Sequence, residues 1–400
     1  MKYSLNLAAL SHRDFRRYIT ANAFSLHGVW MQRITVAWIA WAMSGTAAYV
    51  GWIAFLGFAP TMITGPIFGV LSDRLPLRRA AMMAQGGLGV MSALLLLCHL
   101  TGMLGPISLS LIALGTGIII SANNPVRMSL TPLLVPKEEI TSVILASSLN
   151  FNLARVVGPA LGGLIIAHFG ITAALVTICL FFAPAILILP GISPRNREAA
   201  ANAKEPIWQS LKDGAAFAAN HPLIAHVLSI TALYTFTGRG ILEILPVIAD
   251  GVFQRGATGL GTLTAAAGCG ALLSAAAVTL LPKAQAGERP RLGHWAGIVG
   301  LTLVVVLGQS QSWTVSMIIV GILGACSAQF GVAMQSTLQL VLVDTYRGRV
   351  MSLWVMLGIG AASLGALVLG AMADVLGLGL ATLLINGAAL ICFIALLRKG

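Results

Sequence analysis

Stretches of about 20 apolar residues recur along the chain, and short loops that contain most of the charged residues separate them. A helix of this length can cross a bilayer, where lipid offers backbone N–H and C=O groups no hydrogen-bond partners. Of the 400 residues, 58% are apolar and only 9% are charged, which excludes an ordinary soluble domain. The sequence predicts twelve spans, at approximately 18–43, 46–71, 80–100, 106–134, 141–168, 171–190, 222–248, 257–281, 293–309, 313–343, 350–373 and 378–397.

The positive charges lie mainly on one side of the predicted spans. Loops on the side of the two termini contain most of the 24 Lys and Arg residues, whereas the opposite loops contain only Arg255. The positive-inside rule therefore places both termini in the cytoplasm, with the chain in a bacterial inner membrane. Because the net charge of +12 is divided among loops between apolar spans, it indicates a lipid bilayer as the partner and not nucleic acid.

One long polar stretch, 191–222, divides the predicted spans into six and six. This division predicts an N-terminal six-helix bundle over 1–190, a cytoplasmic linker over 191–221 and a C-terminal six-helix bundle over 222–400. Within the linker, 207–219 has apolar residues at near-helical spacing, which fits either a short interfacial helix or a solvated loop. The predicted fold is an all-α membrane protein with twelve transmembrane helices in two pseudo-symmetric bundles.

The sequence shows no residue set for catalysis, metal binding or ATP hydrolysis. The five cysteines are far apart in apolar runs, without the CxxC or Cys/His spacing of a metal site. There is no GxxxxGKS/T loop, and no paired carboxylates or Ser/His/Asp set lies at membrane depth. We therefore expect neither an enzyme nor a cofactor.

The loop between the second and third spans reads GVLSDRLPLRR from Gly69. The Asp73 carboxylate can lie at the N-terminus of a neighbouring helix, where it meets free N–H groups, while arginines bind carbonyls or acids. Basic residues that only follow the positive-inside rule would explain the arginines but not Asp73. The loop resembles the signature loop of the major facilitator superfamily, although Pro76 replaces its second glycine and Leu77 a basic residue. We expect a cytoplasmic latch made by Gly69, Asp73, Arg74, Arg78, Arg79, Arg347 and Arg349.

The fifth span contains the run GPALGG from Gly158. Small residues allow helices to approach closely and proline can bend a helix, which suits an element that packs differently in two states. The run resembles the end of the antiporter motif of major facilitator exporters, although its two upstream glycines are Leu145 and Ala154 here. A glycine-rich face is also common in any packed membrane helix. The residues of this antiporter-like motif are Gly158, Pro159, Gly162 and Gly163.

Four further runs narrow the resemblance: GVWMQR from Gly28, NPVR from Asn124, FNLAR from Phe151 and RGRVMS from Arg347. Together they resemble the branch that includes enterobactin exporters and macrolide efflux proteins. The resemblance implies the major facilitator fold and a proton-coupled exporter of a small anionic or amphiphilic molecule, a siderophore-like metabolite or a drug, working by alternating access. An importer of this fold, a multidrug or macrolide pump, and a receptor or scaffold are the alternatives. We expect a monomer.

Charged groups inside the spans are functional candidates, because each costs several kcal/mol to insert unless it faces a cavity or a partner. Four arginines and one clearly embedded carboxylate, Glu243, leave a surplus of positive charge, which favours an anionic or electron-rich substrate. Glu243 follows Arg239 by four residues, so the two form either a neutralised pair or a proton site; His27 is a second proton-coupling candidate. The cavity candidates are Gln32, Arg33, Asn150, Asn152, Arg155, Arg239 and Gln335.

Overall fold

The computed structural model describes residues 8–195, 207–278 and 290–399. These residues are almost entirely helical, and no strand is found among them. Successive helices turn at glycines with positive φ such as Gly45, Gly102 and Gly377, a conformation that glycine adopts without strain. The helices are α1 (Arg13–Ser44), α2 (Ala47–Arg74), α3 (Leu77–Leu100), α4 (Pro106–Leu130), α5 (Ile140–Ile188), α6 (Ile207–Asn220), α7 (Pro222–Tyr234), α8 (Gly256–Val278), α9 (Arg291–Gln309), α10 (Trp313–Val341), α11 (Asp344–Leu376) and α12 (Leu378–Lys399).

The predicted all-α membrane architecture is confirmed. Nine helices in the described ranges are long and apolar enough to cross a membrane, or ten if the bent pair at the seventh span is counted. One of the nine, Ile140–Gly191, contains both the fifth and the sixth predicted spans, which meet at a kink at Gly170 (φ 80°). The first span, α1, is helical throughout but is not among the nine. The twelve predicted spans therefore all correspond to helical segments.

Residue contacts divide the chain into two compact units. Unit 1 comprises Met1–Val36 and Ile63–Lys204, and unit 2 comprises Ala37–Met62 and Glu205–Gly400. The end of α1 and the first half of α2 thus pack with the C-terminal helices, whereas the predicted N-terminal bundle includes them. The later change of unit, after residue 204, falls inside the predicted linker.

Unit 1 has an apolar core where α1, α3, α4 and the end of the sixth span meet. Phe15, Leu130 and Leu189 are almost completely buried there. Two arginines fix the end of the sixth span, because Arg17 Nη1 donates to the carbonyl oxygen of Gly191 (2.8 Å) and Arg78 Nη1 donates to the carbonyl oxygens of Pro190 (3.4 Å) and Ile192 (3.3 Å).

Unit 2 has an aromatic core between α7, α10 and α12. The ring of Tyr234 lies 4.2 Å from that of Phe330, and Phe330 lies 6.3 Å from Phe393, centroid to centroid. All three side chains are almost completely buried. Aromatic pairs at such distances add to the packing that holds helices together where lipid provides no hydrophobic driving force.

The seventh span differs from the regular helix predicted over 222–248. A methyl group at Gly240 would lie 2.9 Å from the backbone nitrogen of Ala366 in α11, so the chain approaches α11 at a distance that only glycine permits. Pro246 also lacks a backbone N–H to continue a helical ladder. After α7 the chain forms a π-helical turn (Thr235–Arg239), a 3-10 turn (Gly240–Glu243) and a second π-helical stretch (Val247–Val252).

The linker stretch 207–219 is helical, since it lies within α6. The chain bends by 110° between α6 and the seventh span. Phe217 of α6 stacks on Tyr346 at the start of α11, with ring centroids 4.1 Å apart and planes 5° apart. Arg349 Nη1 forms an ion pair with Asp213 Oδ2 at 3.3 Å. These contacts dock α6 on the first turns of α11.

Helices α8 and α10 pack at backbone distance. A methyl group at Gly324 would lie 2.8 Å from the Cα atom of Ala267, and one at Gly270 would lie 2.8 Å from the carbonyl carbon of Gly321. Small residues that allow backbones to approach are a general means of helix association in membranes. Gly331, two turns further along α10, has open space where a methyl would lie.

We predict that Gly324→Ala lowers the thermal unfolding midpoint of the detergent-purified protein, because the added methyl group must separate α8 from α10. Overpacking of this kind costs about 1–3 kcal/mol. The matched control is Gly331→Ala, which should leave stability unchanged or raise it by up to about 1 kcal/mol, since alanine favours the helix. Equal midpoints for the two variants would contradict the packing described here.

Candidate functional site

Two arginines and two aromatic rings form a row inside unit 1. Arg33 Cζ lies 5.0 Å from the ring centroid of Trp30, Trp30 meets Phe151 edge to face at 5.8 Å, and Arg127 Cζ lies 5.7 Å from the ring of Phe151. The side chains come from α1, α5 and α4, and all four residues are half-buried. Both arginines lie within the range at which a cation is attracted to a ring face. We call these four residues the arginine–aromatic row.

The antiporter-like motif places the fifth span directly against this row. A methyl group at Gly158 would lie 2.8 Å from Trp30 Cβ, and one at Gly162 would lie 2.8 Å from Ile34 Cγ2. Pro159 and Gly163 are also buried in α5. The glycines therefore allow the fifth span to approach α1 closely enough for Phe151 to reach Trp30.

A second polar group connects α1, α3 and α4 in unit 1. The hydroxyl of Ser25 donates to Gln85 Oε1, and Gln85 Nε2 donates to Asn123 Oδ1 (3.3 Å). The small cavity beside these side chains, also lined by Asn22 and Arg127, has a volume of about 10 Å³, which is room for about one water molecule. It is too small for a substrate, and its polar side chains serve to fix the three helices in place.

Two of the predicted site residues on α1 bond within unit 1. Gln32 is 3% exposed, and its Oε1 accepts a hydrogen bond from the hydroxyl of Ser92 in α3 (2.9 Å). His27 Nδ1 lies 2.7 Å from the carbonyl oxygen of Ala23, one turn earlier, and its ring stacks at 6.3 Å on Phe181. Since a carbonyl oxygen only accepts, Nδ1 is the ring nitrogen that carries the hydrogen in this contact.

The other cavity candidates are distributed over both units. In α5, Asn152 Nδ2 donates to the carbonyl oxygen of Ser148 one turn earlier (2.9 Å), whereas the buried Nδ2 of Asn150 has no hydrogen-bond partner among the residues that the structure describes. That these candidates line one substrate cavity stays a prediction. Half-buried positions are occupied by Arg155 in α5, by Arg239 and Glu243 in the broken seventh span, and by Gln335 in α10.

The spacing used to pair Arg239 with Glu243 is that of an α-helix. In the structure Arg239 ends a π-helical turn and Glu243 ends the 3-10 turn that follows it. Both turns differ from 3.6 residues per turn, so the α-helical spacing by itself does not decide whether the two side chains pair, and the pair stays a prediction. Their role in proton coupling stays a prediction.

The latch residues lie at the ends of three helices. Gly69, Asp73 and Arg74 lie in the last turns of α2, and Arg347 in the first turn of α11, but their side chains are outside the described part of the structure. Arg78 and Arg79 lie in the first turn of α3 and are exposed. The carbonyl contacts of Arg78 and the ion pair of Arg349 fit the kind of contact expected of latch arginines, although the partners are the sixth span and α6.

Two carboxylates that the sequence analysis did not single out bind other helices in unit 2. Asp374 near the end of α11 accepts hydrogen bonds from the backbone N–H of Ala47 (2.7 Å) and of Ala48 (2.8 Å), the first two residues of α2. Asp250 accepts a hydrogen bond from Trp41 Nε1 (2.9 Å), and its other oxygen accepts one from the backbone of Gly256 (3.1 Å).

These two contacts tie the hairpin of α1 and α2 to the C-terminal helices. The Asp374 carboxylate lies at the N-terminus of α2, where free N–H groups and the positive end of the helix dipole attract anions. Close packing accompanies it, since a methyl at Gly51 would lie 2.9 Å from Leu367 Cα. A signal was present in the sequence: the chain has only 12 acidic residues, and these two lie near the ends of spans. What the sequence does not reveal is which distant helix each one meets.

Comparison with known proteins identifies relatives over the full length. A family model described as a transmembrane secretion effector matches residues 4–399. The enterobactin exporter EntS of Escherichia coli O1:K1 is 26% identical over 412 residues, covering 99% of this chain and 95% of that protein.

Solved structures of transporters superpose on the chain as well. The nucleoside transporter NupG gives a TM-score of 0.74 at 10% identity, covering 96% of this chain and 98% of that one. A bacterial homolog of the human lysosomal transporter Spinster, inward-facing and unoccupied, gives a TM-score of 0.67 at 16% identity, covering 97% and 93%. At these identities the two structures show the fold alone.

We predict that Asp374→Asn speeds amide hydrogen exchange at Ala47 and Ala48. The amide side chain has one acceptor oxygen and no charge, so the two N–H groups lose about 0.5–2 kcal/mol of stabilisation. Exchange in peptides that cover residues 45–50 should therefore be roughly 2- to 30-fold faster. Glu138→Gln, an exposed carboxylate in the same chain, is the control. Unchanged exchange in Asp374→Asn would show that the carboxylate does not cap α2.

Proposed function

The chain belongs to the transmembrane secretion effector family of major facilitator transporters, and from that membership we propose that it exports a small anionic aromatic molecule of the siderophore class in exchange for protons. As a transporter of this superfamily it is a multi-pass inner-membrane protein with a small-molecule substrate, and it is not an enzyme. The substrate class, the coupling ion, the cytoplasmic position of both termini and a monomeric state are parts of the proposal.

The observation that supports this substrate class is the arginine–aromatic row. A catechol-like ring offers a π face and acidic oxygens, which suit the rings of Trp30 and Phe151 and the guanidinium groups of Arg33 and Arg127. Within the predicted spans four arginines stand against one carboxylate, Glu243, and this surplus of positive charge in the sequence favours an anionic substrate. The unsatisfied amide of Asn150 adjoins Phe151 in the chain and offers a further donor.

Export is supported by the relatives and by the antiporter-like motif. The match to a protein named enterobactin exporter covers nearly all of both chains. The glycines of the motif hold the fifth span against α1 beside the row, so a change in this packing would change the environment of the proposed substrate. Two six-helix bundles, 1–190 and 222–400, would alternate access to a site near the membrane midplane.

Alternating access needs contacts that form and break at both ends of the helices. At the end of the helices near the two termini, the proposed latch is formed by Asp73, by the arginines that follow it in the same loop, and by Arg347 and Arg349 at the start of α11. At the opposite end, the corresponding contacts are the hydrogen bond from the first residue of α2 to Asp374 and the hydrogen bond from Trp41 to Asp250. Because α1 and α2 continue from unit 2 into unit 1, release of these contacts would free both helices to move.

Proton coupling is assigned to Glu243 and His27 because they are titratable groups within the spans. Glu243 lies in the broken seventh span, where the irregular backbone is a feature of helices that line transport sites. His27 lies one turn before the row on α1. The alternatives are an importer of the same fold and a multidrug or macrolide pump.

We predict that everted membrane vesicles containing this protein accumulate labelled enterobactin when a pH gradient is imposed, and that an uncoupler abolishes the accumulation. Trp30→Leu and Arg33→Gln should each reduce initial uptake about fivefold or more, because each removes a contact of about 1–2 kcal/mol. The matched controls are Trp295→Leu, whose ring is 65% exposed, and Arg13→Gln in the first turn of α1.

Three outcomes would contradict parts of this proposal. Uptake that is indifferent to the gradient and to the uncoupler would refute proton coupling. Normal uptake by Trp30→Leu and Arg33→Gln would refute the row as the substrate contact. Transport of a macrolide in the same vesicles without any transport of enterobactin would favour the multidrug pump.

A further inference from the structure

A groove with a basic mouth and an apolar floor lies between the start of α1 and the end of the sixth span. Its volume is about 360 Å³, and it is lined by Arg16, Arg17, Thr20, Leu187, Ile188 and Gly191. All of these residues belong to unit 1. The groove is separate from the arginine–aromatic row, which begins with Trp30 several turns further along α1.

The mouth of the groove carries two guanidinium groups. Arg17 is held by its hydrogen bond to the carbonyl oxygen of Gly191 (2.8 Å), which uses one of its five N–H donors. Arg16 is exposed, and its Nη1 donates to the carbonyl oxygen of Leu10 over a long distance of 3.5 Å. Asp14 is the acidic residue of this turn, and it does not line the groove. The local charge therefore favours an anion.

The floor of the groove continues as an apolar surface along both helices. Leu187 is 77% exposed, Leu180 two turns away on the same face is 64% exposed, and Phe24 one turn beyond Thr20 is 42% exposed. The rings of Phe24 and Phe181 lie 6.0 Å apart, so the two helices stay adjacent along this surface. Exposed apolar side chains on a membrane span are those that contact lipid chains.

We propose that this groove is a binding site for one anionic phospholipid. Its phosphate lies between Arg16 and Arg17, and one acyl chain follows the surface formed by Phe24, Leu180 and Leu187. A soluble anion would use only the basic mouth, whereas a lipid uses both the mouth and the apolar floor. Basic pockets between spans near the cytoplasmic surface bind the headgroups of anionic lipids.

The test is native mass spectrometry of the full-length protein in detergent with added dioleoyl phosphatidylglycerol or dioleoyl phosphatidylcholine. Wild-type protein should retain phosphatidylglycerol in preference to phosphatidylcholine. Arg16→Gln and Arg17→Gln should each weaken phosphatidylglycerol binding about fivefold, as expected for one basic residue at a membrane surface. Arg13→Gln, an exposed arginine one turn earlier that does not line the groove, should bind as wild type.

Competition with glycerol phosphate separates a lipid from a free anion. The soluble headgroup should not displace phosphatidylglycerol at equal concentration, because it lacks the acyl chain. Displacement by glycerol phosphate, equal retention of the two lipids, or equal weakening in Arg16→Gln and Arg13→Gln would each overturn the proposal. If Arg17→Gln unfolds because its bond to Gly191 is lost, Arg16→Gln alone decides, since that side chain is exposed.

Discussion

Lipid offers the backbone no hydrogen-bond partners, so the membrane spans of this chain must be helical. Lipid also provides no hydrophobic driving force for helix association, so the helices are held together by close packing. Glycine makes this close packing possible at several contacts between helices. Gly324 meets α8, Gly240 meets α11, and Gly158 and Gly162 meet α1. These contacts position the polar and charged side chains, because close packing restricts how far the backbone that carries them can move.

Within this apolar framework, two of the arginines in the spans lie beside aromatic rings. Arg33 and Arg127 each lie over a ring, and the two rings meet edge to face. A ring face stabilises a half-buried guanidinium without changing its charge. The packing of the fifth span on α1 brings Phe151 to Trp30. The arginine–aromatic row that results is the observation behind the anionic aromatic substrate that we propose.

The spans, their number and the small-residue motif could be predicted, because they follow from local hydropathy and from runs of sequence. The helical state of 207–219 was left open, since a short amphipathic stretch becomes a helix only with a partner, here α11 through Phe217 and Tyr346. The contact of Asp374 with α2 joins residues 327 positions apart, and the break in the seventh span depends on the approach of Gly240 to α11. The partner helix in each case is not encoded in any local pattern, although Pro246 is a local feature of the seventh span that opposes a regular helix. The bond of Gln32 to Ser92 is likewise not predictable, because periodicity gives no information on which neighbour a polar face meets.

The most direct test of the central claim is a comparison of metabolites inside cells and in the medium, for strains with and without this gene, under iron-poor and iron-rich growth. The account predicts that the strain without the gene retains an anionic aromatic chelator inside the cell under iron-poor conditions and releases less of it. Identical metabolite profiles in the two strains, together with a raised sensitivity to antibiotics in the strain without the gene, would contradict the account and make a multidrug pump the better description.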